Sequence, residues 1–534
     1  MKTLVTLGKA SLSRGYGEAT IWKSPLHLVM IAAAFLSVTL GQEGIISAGQ
    51  QFTVVICRDG TARAAGDNSQ GQLGAGSPDS YRATPIQVIQ SPGVALSNIK
   101  AVSAGGGHAL FLLEDGTVRA VGKNDYGQLG DTTTTNRNIP VPVLGPNNAP
   151  LTNIVAVSAG GLHSLFLAAD STVWAVGSSY DGQLGDPATN NQQVRRVVKV
   201  KGPDGTSSLR GVIAIAAGGR HSLFLTKDGR VWATGRNNAG QLGDGTTQNR
   251  RIVVPVVKAD GSPFDSVIAI AAGDQHSLFL RQDGSVWAVG DNAAGQLGEG
   301  TFQRRLTPVR VKMKDGSFLT NVQAIAAGGE IGIYGLIAGP TWGHSVFLRQ
   351  DGTVWAVGAN QYQELGGGLT GGAIQLAQQV LKPDSTPLTN VVAIVASRHN
   401  SYFVTSDGTV FASGDNSRGQ QGNGTTSNIN TRFATPTNFC LARVSGASSL
   451  PFEKPSYRVN IFPNPTSGLF TVELGGYDES LEIRVLELTG REIQHLRGQG
   501  PTFSVDLTGR PGVYVVEVRT RGAVLPPVKV AVTE

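Results

Sequence analysis

A block of about 56 residues returns seven times along this chain, and that repeat limits the possible fold more than any other feature. In its fourth occurrence it reads Ala216-Ala217-Gly218-Gly219-Arg220-His221-Ser222-Leu223-Phe224-Leu225, then Asp228-Gly229, Val231-Trp232-Ala233-Thr234-Gly235 and Gly240-Gln241-Leu242-Gly243. The glycine closing the third segment is Gly66, Gly122, Gly177, Gly235, Gly290, Gly358 and Gly414, at steps of 56, 55, 58, 55, 68 and 56 residues. Another glycine follows each of these eight residues later, from Gly74 to Gly422. Such a period means one supersecondary unit per repeat, stacked so that neighbours bury faces that no unit could bury alone.

Within a unit, residues 213–217 and 222–225 are short apolar runs bounded by turn residues, so they read as strands. Asp-Gly at 59–60, 115–116, 228–229, 283–284, 351–352 and 407–408, with Asp170-Ser171 as the exception, predicts a tight type I′ hairpin. Residues 231–234 follow as a third strand and the Pro-containing segment 254–257 as a fourth. Four short strands every 55 or so residues describe a propeller blade, so the expected fold is all-β, a seven-bladed β-propeller over 43–440. The pattern opens partway through a unit at Ile45 and ends at 436–439. The first and last segments are therefore expected to complete one blade between them and remove two exposed edges. Cys57 and Cys440, the only cysteines, flank this seam. In an exported protein they are expected disulfide partners; two unconnected thiols are the alternative.

These blocks, AAGxxHSLFLxxDGxVWAxGxNxxGQLGxG, resemble the repeats of the regulator of chromosome condensation family. The resemblance implies a seven-bladed propeller. The founder of that family is a nucleotide-exchange factor for the small GTPase Ran, an activity that an exported chain has no opportunity to perform.

Both ends of the chain point outward from the cell. Residues 1–42 hold Lys2, Lys9, Arg14 and Lys23 before an apolar run at 26–40, the pattern of a secretory signal, with Met30 as an alternative start. The run is too short for a stable membrane span. Residues 441–456 read as a linker. The module at 457–534 reads as a small antiparallel β-sandwich from its alternation and turn spacing. Its FPNPTSG at 462–468, TGR at 489–491 and GVYVVEV at 512–518 resemble the C-terminal sorting domain of type IX secretion substrates in the Bacteroidota. That resemblance implies passage through the outer membrane by the type IX machinery, and a chain that is secreted, extracellular or on the outer cell surface.

The formal charge of +6 mostly dissolves when divided: +3 lies in 1–42 and −1 in 455–534, leaving +4 over the repeats. Nucleic acid is therefore not an expected partner, because phosphate recognition concentrates Lys and Arg.

Five histidines share one column of the repeat, His108, His163, His221, His276 and His344, with Phe52 and Asn400 in the other units and His399 one place off. A ring spreads equivalent positions apart, so they are not expected to converge on a metal. Each is expected to hydrogen-bond backbone within its own blade. Trp174, Trp232, Trp287 and Trp355 form a column with Phe411, Arg63 and Arg119, read as blade-to-blade packing, with sugar or peptide stacking as the alternative. Asn68, Asn124, Asn237, Asn292, Asn360 and Asn416, with Ser179, are expected to bond local backbone and to tolerate left-handed φ. Asp67-Asn68-Ser69-Gln70-Gly71 lacks the acidic ligands of a calcium loop. No nucleophile elbow, HExxH, CxxC or phosphate loop occurs, so no catalytic, metal or cofactor residue is assigned and an enzyme is not expected.

The sevenfold pattern departs from itself once. Unit six has 24 residues from Gly328 to Gly352 where the others have 11, and the extra stretch carries Ile331, Ile333, Tyr334, Leu336, Ile337 and Trp342. The same unit is glycine-rich at 366–376. An apolar insertion on a loop suits partner contact, or else a cover over its own seam. The expected function is an exported, monomeric, non-catalytic scaffold that recognises a protein or surface polymer. The alternative is inhibition of a secreted enzyme, as by a secreted propeller of the family that blocks β-lactamase.

Overall fold

A computed structural model describes residues 45–77, 79–189, 192–329, 342–369, 371–427 and 431–439, and, in the C-terminal module, 458–462, 469–475, 481–487, 489, 491–498, 502–520, 523–524 and 528–533. The signal region, the linker, Cys440 and the insertion residues Ile331, Ile333, Tyr334, Leu336 and Ile337 lie outside the described residues.

Seven antiparallel four-stranded sheets follow one another at 46–87, 99–142, 154–199, 212–255, 267–310, 322–379 and 391–436, here blades one to seven. Blade four has an inner strand Val212–Ala217, a second strand His221–Thr226, a third Val231–Gly235 and an outer strand Arg250–Pro255, which begins four residues earlier than the sequence suggested. The inner strands line a central channel of about 180 Å³.

The core lies between the blades. Each of seven buried clusters joins two neighbouring sheets. The second strand shows why its sequence is continuously apolar: in blade three Phe166 and Ala168 enter the seam with blade two, whereas Leu165 and Leu167 enter the seam with blade four. Alternate side chains face opposite sides of a strand, so a strand buried on both faces needs apolar residues at every position. The Trp column packs in these seams, Trp174 against the blade two–three cluster and Trp287 against the four–five cluster.

Two expectations about connection are corrected. No blade is shared between the chain ends, because every sheet is built from four strands consecutive in sequence. Side-by-side packing closes the ring instead. Ile46, Ala48, Val55 and Ala65 of blade one bury against Ala393, Tyr402, Val404 and Phe439, and Gly424 N–H donates to the Ala83 carbonyl at 3.0 Å. The hairpins are not type I′ either. In blade four Thr226 N–H reaches the Arg230 carbonyl at 2.9 Å and Gly229 N–H reaches Thr226, leaving the three-residue loop 227–229. Only the glycine takes positive φ (74°), the pattern of a type I turn followed by a left-handed bulge residue. The preceding aspartate instead braces the loop from its side chain, as Asp59 Oδ1 accepts both Thr61 N–H at 3.0 Å and Thr61 Oγ1 at 2.7 Å.

The C-terminal module is a sandwich. Arg458–Phe462, Leu469–Gly475 and Thr502–Asp506 form one antiparallel sheet; Leu481–Glu487, Glu492–Gly498, Gly512–Thr520, Ala523–Val524 and Val528–Val532 form the other. Val472, Ile483, Val485, Val505, Val516 and Val530 fill its interior.

Candidate functional site

The histidine column does not bond within its own blade. His108 Nε2 meets Ser164 Oγ of the next blade at 2.9 Å, and His163–Ser222, His221–Ser277, His276–Ser345 and His344–Ser401 repeat the contact at 2.9–3.0 Å. In four seams that serine donates to a glutamine carbonyl of the histidine's blade, as Ser222 Oγ to Gln183 at 2.7 Å. A hydroxyl with its proton so engaged must accept from the imidazole, which places the histidine proton on Nε2. The imidazole lies over the glycine that follows its own inner strand: a Cβ on Gly218 would stand 2.4 Å from the His221 ring. Burial holds His108, His163 and His276 down at about 3 and His221 and His344 at about 4, so these latches work with neutral histidine.

The exceptions change in pairs. Between blades one and two, Phe52 replaces the histidine and Ala109 the serine, an apolar contact in place of a polar one. Between blades seven and one the histidine position is Asn400, and the Tyr402 hydroxyl bridges Thr53 Oγ1 at 2.8 Å and the Gln420 carbonyl at 2.9 Å.

The asparagine column organises the loops entering the outer strands. Asn237 Oδ1 accepts Leu242 N–H at 3.0 Å while its Nδ2 donates to Asp244 and to the Thr246 carbonyl. Asp244 in turn pairs with Arg250 at 2.7 Å. None of these asparagines takes left-handed φ. The marker glycines ahead of them do, at 102° to 115°, and a Cβ on Gly235 would stand 2.6 Å from the Arg220 carbonyl.

Histidine, serine, asparagine and glycine columns are thus occupied with structure, and a ligand must be sought where the repeat breaks. The loops joining inner to second strands, and third to outer strands, share one face of the ring. On it, five backbone rungs link successive blades around the channel mouth: Gln50 N–H to Gly105, Gly106 to Gly160, Gly161 to Gly218, Gly219 to Gly273 and Gly329 to Ser397, at 3.0–3.2 Å. The two remaining steps begin at Asp274 and Arg398, the only charged side chains of that ring of seven. Burial pushes the Asp274 carboxyl up to about 7, against the Gln275 amide and the charges of Arg236 and Arg220.

Several departures gather at the seam of blades six and seven, while the described ends of the insertion, Gly329 and Gly343, also face Asp274, His276 and Gln296 of blade five. The insertion springs from Gly329, beside Ser397, and returns at the half-buried Trp342. At this seam the exposed Tyr362 lies 4.2 Å, centroid to centroid, from the His399 ring. Beneath them Glu364 replaces the glutamine found at 72, 128, 183, 241, 296 and 420, and is wholly buried. The insertion was visible in the sequence. Glu364 was missed, although aligning the seven GQLG segments exposes it; Arg398 and Asp274 needed the ring to bring them to one rim. Cys57 is buried.

Among the described residues, no group of three His, Cys, Asp or Glu is arranged to hold a metal ion, and no helix is long and apolar enough to cross a membrane.

Residues 36–334, more than half of the chain, match the RCC1-like domain, and 391–420 match the regulator of chromosome condensation (RCC1) repeat. Residues 460–526 match the secretion system C-terminal sorting domain. Human E3 ubiquitin-protein ligase HERC2 is 29% identical over 374 residues, 69% of this chain but 7% of the ligase. The ultraviolet-B receptor UVR8 of Arabidopsis thaliana is 26% identical over 383 residues, 71% of this chain and 78% of the receptor. In fold, human WBSCR16 superposes with a TM-score of 0.58 at 22% identity, over 73% of this chain and 94% of that one. Yeast RCC1 (Prp20), solved bound to Kap60, gives 0.58 at 20% identity, over 82% and 91%. The chain is an exported member of the RCC1-like β-propeller family, ending in a type IX C-terminal sorting domain.

Proposed function

We propose that this exported propeller is a non-catalytic binding scaffold, and that it captures a protein or surface polymer through the blade six–seven sector of its loop-bearing face. The carrying observation is the confinement of asymmetry. Four seams repeat one histidine–serine–glutamine contact, whereas at the blade six–seven seam Tyr362 lies against His399 beside Arg398 and Glu364 replaces the glutamine, in the unit that also carries the insertion. A binding site needs such a distinct constellation. The relatives include ligases and a receptor, but the chain spans only 7% of HERC2, so ligase activity has no support here.

Affinity capture with the full chain tests this, comparing wild type, a deletion of 331–340, and Tyr362→Ala combined with Arg398→Ala. A partner held by wild type and lost from both variants supports the reading. A partner retained by both overturns it. If that partner is a secreted enzyme whose activity falls on binding, the scaffold acts as an inhibitor.

We also propose that Cys57 pairs with Cys440, the only other cysteine, and so fastens the ring where blades seven and one meet. By the chain-entropy relation, closing so long a loop contributes about 6 kcal/mol. Peptide mapping without reductant that found both as free thiols would refute this.

A further inference from the structure

In six of the seven repeats, the glutamine after the asparagine loop directs its side chain inward between two blades. Its Oε1 accepts the N–H two residues earlier, as Gln128 accepts Tyr126 N–H at 3.0 Å and Gln241 accepts Ala239 N–H at 3.0 Å. Its Nε2 always carries protons, and at blades one, five and seven it donates to Asp67, Asp291 and Asp415. At blades two, three and four both Nε2 and the histidine Nδ1 are buried without a protein partner. One is a donor and the other, with the ring proton on Nε2, is an acceptor. They face a common space: at the blade five–six seam, Gln296 Nε2 and His276 Nδ1 stand 3.2 and 3.3 Å from the point where a Cβ on Gly343 would be.

Blade six breaks this complementarity. Glu364 keeps the local contact, Oε2 accepting Tyr362 N–H at 2.8 Å, but its buried Oε1 has no partner and neither has His344 Nδ1. The Asp291 and Asp415 positions correspond here to Ala359, and the Gly343 position to His399. At this seam the backbone fixes the tautomer: the His344 ring donates to the Asn400 backbone, and since Nδ1 has no partner that proton is on Nε2 and Nδ1 is an acceptor. An ionised Glu364 therefore sets two buried acceptors, Oε1 and Nδ1, against one another. A protonated Glu364 supplies the donor that the glutamine amide supplies elsewhere.

We infer that the seam between blades six and seven is a proton-dependent joint, closed when Glu364 carries a proton and loosened when it is ionised. The other groups facing it are His344 and Tyr362 from blade six, and Arg398, His399 and Asp415 from blade seven. Asp415 opposes ionisation of Glu364; its own carboxylate is engaged by Gln420 Nε2 at 3.0 Å and by Ser417 N–H at 2.9 Å. Arg398 is drawn toward Asp415. His399 is held at about 3 by burial and by Arg398, so it remains neutral and brings no compensating charge. Burial, the largest influence on Glu364, pushes its carboxyl up to about 7, which places the transition in the range an exported protein meets.

A carboxyl with its folded pKa raised from 4.5 to about 7 makes the joint firmest below pH 4.5, relative to the same joint bearing glutamine, and progressively weaker as pH rises from 4.5 to about 7, with no further loss above that. Hydrogen exchange of the full chain, wild type against Glu364→Gln, tests this on peptides covering 344–349 and 400–405. Glutamine stands at this position in the other six blades, so the variant keeps the fold. At pH 8 the wild-type peptides should exchange on the order of 100-fold or more faster than those of E364Q, and at pH 5.5 only about tenfold faster. Peptides of blade three should not differ at either pH. The reverse substitution, Gln241→Glu, should create the same pH-dependent difference at the blade four–five seam. An equal wild-type to E364Q ratio at pH 5.5 and pH 8 would overturn the inference, as would a ratio that changes equally in blade three.

Discussion

Ser171 occupies the hairpin position that glycine holds in the other six blades, and it is forced to a φ of 64°. A side chain in that region costs about 1–2 kcal/mol, because Cβ crowds the following carbonyl. Part of the relief that glycine offers is returned as chain entropy in the unfolded state. Ser171→Gly should therefore stabilise the propeller by about 0.5–1 kcal/mol in urea or guanidinium titration. Loss of stability would mean that the Ser171 side chain makes a contact worth more than the strain. Single residues in this chain are thus readable by comparison with their six counterparts. Asp-Gly was insufficient by itself, because it serves both a two-residue I′ turn and the three-residue loop found here. The pairing of Leu225 with Val231 decides between them, and no local pattern displays that pairing.

Strand pairs and seams show which expectations survive and which fail. Spacing revealed four strands per unit because each is a short run between turn residues, the second an unbroken apolar one buried on both faces. It could not reveal where one blade ends, since a repeat can be divided at any phase and only hydrogen bonding chooses. The histidines were assigned to their own blades for the same reason. Yet the signal for the next blade was present: the unit with Phe52 instead of histidine precedes the unit with Ala109 instead of serine. That natural replacement makes a prediction for the blade four–five seam, where His221 meets Ser277 at 3.0 Å and Ser277 donates to the Gln241 carbonyl at 2.7 Å. Ser277→Ala strands both the imidazole proton and the carbonyl, at a cost of about 1–3 kcal/mol. His221→Phe alone leaves Ser277 its carbonyl and removes one polar partner. The double variant restores the apolar contact of the first seam. It should be less destabilised than the sum of the single variants by about 1 kcal/mol or more. Additive losses would show that each residue acts independently of the other.

The whole ring should answer to pH through these same buried groups. Six histidines, the five latches and His399, are held at about 3 to 4 when folded against 6.5 when free. A depressed histidine pKa means that the unfolded chain binds the extra protons, so stability falls as pH drops below 6.5. Asp274 and Glu364 act oppositely: both are raised to about 7, and the folded chain holds two protons that the unfolded chain has released. Between pH 6 and 5 the unfolded state therefore binds about four more protons than the folded one, a slope on the order of 5 kcal/mol per pH unit. Near pH 7 the two effects nearly cancel, giving a flat maximum. Thermal melting of the full chain should accordingly change little between pH 7 and 7.5 and fall steeply from pH 6 to 5. Replacing His221 and Ser277 together by Phe and Ala should make that fall shallower by about one proton, because the ring then loses one neutral histidine. A melting temperature independent of pH from 7 to 5 would mean that the histidines ionise within the folded ring, which the burial of these six imidazoles opposes.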